Sequence, residues 1–118
     1  MPNPYGVPEV SVQTLAEKRK NNENFVLLDV REEHELQFAD VGDGVTLLPL
    51  SLLAEQKLGA IPDEIADKGT EVIVMCHTGR RSAQVTAWLQ QQGWTNVFNL
   101  DGGIEAYAVE IDPDVGRY

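Results

Sequence analysis

Apolar positions along this chain fall into short, dense runs rather than long stripes. Phe25–Leu28, Val72–Met75 and Val97–Leu100 are near-continuous apolar runs of strand length, and Val45–Leu50 is another, broken by Pro49. Such runs predict strands covered on both faces, as in a parallel sheet flanked by helices. Glu9-Val10 adds a short first strand. The intervening segments carry helical signals. Ser11 is placed to cap a helix over Val12–Lys20, with Leu15 and Ala16 inward and Asn21-Asn22 ending it. Glu32–Phe38 reads as a short amphipathic helix with Leu36 and Phe38 as its apolar positions. After the loop Ala39–Gly44, Ser51 caps a turn over Leu52, Leu53 and Ala54, and Ile61–Asp67 is only weakly helical. Ser82–Gln92 is the clearest helix: Ala83, Val85, Ala87, Trp88 and Leu89 make its inward stripe, and Gly93 stops it. Asp101-Gly102-Gly103 turns into a last short helix, Ile104–Tyr107. Strands alternating with helices predict βαβ units in an α/β domain with a mainly parallel sheet.

Length and composition narrow this picture without changing it. The 118 residues suit one domain with its own core, and no internal repeat is visible. Residues 1–8, with Pro2, Pro4 and Pro8, read as an extended arm, 9–108 as the domain and 109–118 as an acidic tail. The N-terminus has neither the basic region nor the apolar core of a signal peptide, and no apolar run has transmembrane length. No membrane is therefore expected as a partner. A single cysteine excludes an internal disulfide and a multi-cysteine zinc site, and suits a cytoplasmic protein. His34 and His77 stand far apart with no accompanying motif, which gives a metal site no support. The formal charge of −10 argues against nucleic acid as a partner. Glu32, Glu33 and Glu35 form the densest acidic group and read as solvated surface.

Against that acidic background, Arg80 and Arg81 are adjacent, and they follow the only cysteine. Cys76-His77-Thr78-Gly79-Arg80-Arg81-Ser82 joins the run Val72–Met75 to the following helix. Reactive loops of parallel sheets lie at the carboxyl ends of strands, where Cys76 falls. There it faces a helix N-terminus, whose free N–H groups and partial positive charge favour an anion, here a thiolate. Gly79 allows the turn in which successive N–H groups point inward as a nest. Thr78 and Ser82 add hydroxyl donors. Arg81, at the helix start, is placed to fix the loop, and Arg80, near the rim, to meet an anionic substrate. His77 is read either as tuning the thiol or as a loop side chain facing solvent, and His34 as exposed.

Cys-His-Thr-Gly-Arg-Arg-Ser-Ala (76–83), the segment Gly93–Tyr107 and Leu27–Leu36 around Asp29-Val30-Arg31 together resemble the rhodanese-like sulfurtransferases. The resemblance runs from about Val10 to Tyr107 and is closest to single-domain members. Phe38–Gly44 replaces the His-Ile-Pro-Gly-Ala segment usual in the family, and Tyr107 stands where tryptophan is common. The resemblance implies a three-layer domain with a central five-stranded parallel sheet and helices on both faces. It also implies ping-pong transfer of sulfur through a Cys76 persulfide. The donor would be thiosulfate or a related small anion, and the acceptor cyanide or a thiol, including a thiol on a protein. Such chemistry needs no cofactor, since the cysteine carries the group. Asp29 and Arg31, which match the Asp-Val-Arg segment, are implied as a structural ion pair rather than as catalysts. Two other readings compete. Cysteine phosphatases and arsenate reductases have five residues between Cys and Arg, against four here before Arg81. A non-catalytic interaction module would more commonly lack the cysteine.

Overall fold

A computed structural model of the chain describes residues 4–118. Pro2 and the rest of residues 1–3 lie outside the described residues. The elements run β1 (Glu9–Val10), α1 (Val12–Lys20), β2 (Val26–Asp29), β3 (Val45–Leu47), α2 (Leu50–Gln56), β4 (Val72–Met75), α3 (Arg80–Gln91), β5 (Val97–Leu100) and α4 (Gly103–Glu110), with 3-10 turns between. Among the described residues, five strands form one parallel sheet in the order β1-β5-β4-β2-β3. None of the helices described is long and apolar enough to cross a membrane.

Side-chain alternation along β4 explains the layers. All four β4 residues are fully buried, because both faces of this central strand are covered. Val72 and Val74 pack with Leu53 of α2 and Val85 and Leu89 of α3 on one face. Ile73 and Met75 pack with Val12 and Leu15 of α1 and Ile104 and Tyr107 of α4 on the other. Each such side chain contributes about 1.5–3 kcal/mol by leaving water. The period of two carries on past the strand: Cys76 falls on the Val72/Val74 face and belongs to the α2–α3 cluster. The same alternation that builds the core therefore turns the thiol toward α3.

The structure refines several element boundaries. Ser11 caps α1, accepting a hydrogen bond from Thr14 N at 3.1 Å. β3 stops at Leu47, because Pro49 has no N–H; Leu48 N and Leu50 N still reach Asp29 O and Val30 O. α2 begins at Leu50 with Pro49 at its cap position, so Ser51 is not the cap. Its N–H and hydroxyl instead engage the Glu32 carboxylate. α3 starts at Arg80, two residues earlier than the apolar pattern indicates, because Gly79 at φ 99° serves as its cap. Glu33–Gln37 is a 3-10 turn in which Glu35 is buried while Phe38 is half exposed, the reverse of the amphipathic expectation. At the far end α4 continues to Glu110, Val115 is buried, and Tyr118 lies back over the Cys76 loop.

Candidate active site

The loop from Cys76 to Arg81 is held between two helix N-termini. From outside, α4 donates Ile104 N to Cys76 O at 2.9 Å and Glu105 N to His77 O at 3.0 Å. With those carbonyls drawn outward, the amides are free to turn in: Gly79 N and Ser82 N reach Cys76 Sγ at 3.1 and 3.3 Å. Ser82 Oγ lies 3.2 Å from the same sulfur. The thiol is 1% exposed, at the bottom of this cradle. Gly103 makes the close approach possible. A Cβ there would come within 2.5 Å of His77 O and 2.6 Å of Cys76 O, at a φ of +60° that other residues rarely adopt.

A second set of side chains frames the rim. Arg81 grips Glu35 in a two-pronged ion pair, Nη1 to Oε2 at 2.7 Å and Nη2 to Oε1 at 2.9 Å. Glu35 also accepts from Glu32 N and from the Tyr118 hydroxyl. The Arg81 hydrogen bonds, against the opposing effect of burial, hold the Glu35 carboxyl down at about 2. Arg81 is held charged by the same contact. Behind it, Arg31 and Asp29 form a pair at 0% and 1% side-chain exposure, with Nη2 to Oδ2 at 2.8 Å. Burial opposes the Arg31 charge, but hydrogen bonds to Asp29 and Tyr118 outweigh it and push its pKa up. The Tyr118 ring stacks on His77 at 3.9 Å between centroids and 9° between planes.

Of the residues singled out by sequence, Cys76, Gly79 and Ser82 meet at the sulfur. Arg81 is engaged with Glu35, while Arg80 and Thr78 are exposed at the rim. His77 is half-buried against Tyr118, and Asp29 pairs with Arg31. Three participants received no role from the sequence: Glu35, Tyr118 and Asn99. Asn99 carried the one available signal, a polar residue in the apolar strand Val-Phe-Asn-Leu, and it is 1% exposed beside Ser82. Among the described residues, no group of three or more His, Cys, Asp or Glu is placed to hold a metal ion.

Residues 11–110 match the Rhodanese-like domain family. The chain belongs to that family. Among its rhodanese-like relatives, the Putative sulfurtransferase YtwF of Bacillus subtilis is 32% identical over 109 residues, covering 91% of this chain and 96% of that protein. The chloroplastic Rhodanese-like/PpiC domain-containing protein 12 of Arabidopsis thaliana is 33% identical over 118 residues, but the chain spans only 38% of its length. A solved rhodanese-related protein from Thermoplasma volcanium superposes with a TM-score of 0.69 at 30% identity, covering 88% of this chain and 93% of that one. The central five-stranded parallel sheet with helices on both faces is thus the rhodanese-like fold.

Proposed function

We propose that this chain is a sulfurtransferase that carries sulfane sulfur on Cys76. In the first half-reaction the Cys76 thiolate attacks the outer sulfur of thiosulfate or a related anionic donor. The S–S bond of the donor breaks, sulfite leaves with the bonding electrons, and a cysteine persulfide remains. In the second, a thiolate or cyanide attacks the outer persulfide sulfur, and Cys76 leaves as thiolate. The observation that carries this reading is the pair of backbone N–H groups, Gly79 and Ser82, aimed at a buried cysteine sulfur. Preorganised amides of this kind stabilise an anion without reorganising during reaction.

The rim divides the remaining work. Arg81 is committed to Glu35 and holds the loop to the turn Glu33–Gln37. Arg80 is exposed and is assigned to the anionic donor. The relative named Putative sulfurtransferase YtwF, at 32% identity over nearly its full length, supports the same reaction class. The six-residue ring favours one sulfur over a tetrahedral phosphate, which separates this reading from a cysteine phosphatase. The site of action is taken to be the cytoplasm, where a lone thiol stays reduced.

Intact mass after incubation with thiosulfate tests the covalent step: the expected gain is one sulfur atom, lost on adding cyanide. Cys76→Ala should show neither the gain nor any turnover. An alanine variant with wild-type turnover, or an unmodified cysteine during turnover, overturns the proposal. An unmodified cysteine together with no turnover at all leaves an interaction module as the better reading.

A further inference from the structure

Asn99 lies on β5, buried, with three partners for its amide. Nδ2 donates to Glu9 Oε2 at 2.8 Å and to Gly79 O at 3.1 Å, while Oδ1 meets Ser82 Oγ at 2.5 Å. A carboxylate and a backbone carbonyl only accept, so the NH2 end must face them and the oxygen must face Ser82. An amide oxygen has no proton to give. The short contact is therefore the Ser82 hydroxyl donating to Asn99. Serine has a single proton, so Ser82 Oγ turns a lone pair toward Cys76 Sγ, 3.2 Å away. When Cys76 carries its proton, the hydrogen bond between them is the S–H donating to Ser82.

We infer that Asn99 is a positioning residue that acts on Cys76 through the Ser82 hydroxyl, keeping the hydroxyl proton turned away from the sulfur. When the sulfur proton passes to a base in solvent, an anion and a lone pair face each other. The hydroxyl must then swing from Asn99 to the sulfur, and the buried Oδ1 loses its donor, which is unfavourable. In the persulfide the inner sulfur is bonded to a second sulfur and carries neither proton nor charge. Ser82 then stays with Asn99, and the buried Oδ1 keeps its donor. The relay thus disfavours the empty thiolate relative to both the resting thiol and the sulfur-loaded enzyme. Glu9 and Gly79 O pin the amide so that it cannot flip and release Ser82. The role in turnover rests on Cys76 carrying sulfur, as proposed above; the hydrogen-bond assignment does not.

The charged and titratable groups around Cys76 are Arg81 with Glu35 and Tyr118, Arg80, His77, Glu105 at the start of α4, the Asp29–Arg31 pair, and Glu9 behind Asn99. All are retained in the variants that test the inference; Glu9 loses a partner when Asn99 is replaced, and the double variant carries the same loss in the Ser82→Ala background.

The test is the pH dependence of iodoacetamide alkylation of the full chain, followed by intact mass, for wild type, Asn99→Leu, Ser82→Ala and the double variant. Asn99→Leu frees the serine proton for the thiolate. Its half-reaction pH should fall by about one unit, which is about tenfold faster alkylation below the midpoint. Adding Asn99→Leu to Ser82→Ala should change nothing further. A midpoint unchanged or raised in folded Asn99→Leu, or an equal drop in the Ser82→Ala background, overturns the inference. A second measurement needs no change at Asn99. The single cysteine gives one S–H stretching band, expected at lower frequency in wild type than in Ser82→Ala; coincident bands overturn the inference. Neither readout uses a sulfur donor, so failure of thiosulfate turnover would sink the proposed function and leave both results interpretable.

Discussion

At the floor of the site, Cys76, Ser82 and Asn99 are joined by hydrogen bonds and shut off from water, all three at 1% exposure or less. At the rim, Arg81 and Glu35 meet as ions, with side chains 33% and 11% exposed, and Arg80 stands open to solvent. The floor fixes geometry, since buried donors and acceptors there have no water to fall back on. The rim supplies charge, and water and salt screen what it supplies. Changes at the floor should therefore alter the state of the sulfur, and changes at the rim should alter how an anion arrives. Between these two zones lies the Asp29–Arg31 pair, charged like the rim but buried like the floor.

If burial sets the scale, removing one partner of that pair must cost far more than removing one partner of the rim pair. Asp29→Ala leaves the Arg31 guanidinium charged at 0% exposure with only Tyr118 and a long contact to Glu35 O. We expect a loss of about 3–5 kcal/mol in unfolding free energy by urea titration. A loss under about 1 kcal/mol, the range of exposed pairs, would place Asp29–Arg31 energetically with the rim.

The next largest effect belongs to the outer clamp of the floor. Gly103→Ala places a methyl against Cys76 O and His77 O at a positive φ. Strain and displacement together should lower stability by about 1–3 kcal/mol. Activity should fall more than stability, because the two α4 hydrogen bonds orient the amides around the sulfur. Stability and turnover that fall only in step would show the clamp to be structural alone.

The rim pair has a signature in pH. Glu35 titrates at about 2 in the folded protein, below the ordinary carboxylate value of 4.5. A depressed carboxyl contributes stability that is fully present above the unfolded value and is lost as pH falls. The loss should thus run from about 4.5 down to about 2. With Arg81 one-third exposed, screening reduces the amplitude to about 1–2 kcal/mol. Glu35→Gln should flatten the stability profile in that window and leave the rest of the curve unchanged. An unaltered slope would mean that other carboxylates carry the acid transition.

How much of this could be read from the sequence follows the same division. The floor is mostly local in sequence: a strand end, a cysteine, a glycine turn and a helix start lie within eight residues, Met75 to Ser82, and their spacing is enough to bring them together. The parallel sheet was legible as well, from apolar runs that need cover on both faces. The rim is not local. Glu35 looks like one of three surface carboxylates until Arg81, 46 positions away, turns it inward. Tyr118 lies 83 positions from Glu35, in a segment whose composition reads as a solvated tail. Ser51 shows a subtler version: its hydroxyl is a good helix cap in isolation, but Glu32 takes it across 19 positions. Partners that distant leave no periodicity or spacing to detect.

The smallest effect on stability should come from the residue with the largest assigned role in encounter. Arg80 is exposed, and no hydrogen bond or ion pair joins its guanidinium to another described residue. Arg80→Ala should change unfolding free energy by no more than about 0.5 kcal/mol. Its effect should appear instead as a several-fold rise in the KM for thiosulfate with kcat nearly preserved, since attraction of the donor precedes the chemical step. Salt should have the same sense: raising ionic strength weakens the wild-type preference for an anionic donor and brings the two proteins together. A fall in kcat with KM unchanged would mean that Arg80 acts on the transferring sulfur itself. The boundary between floor and rim would then have to be redrawn to place Arg80 with Cys76.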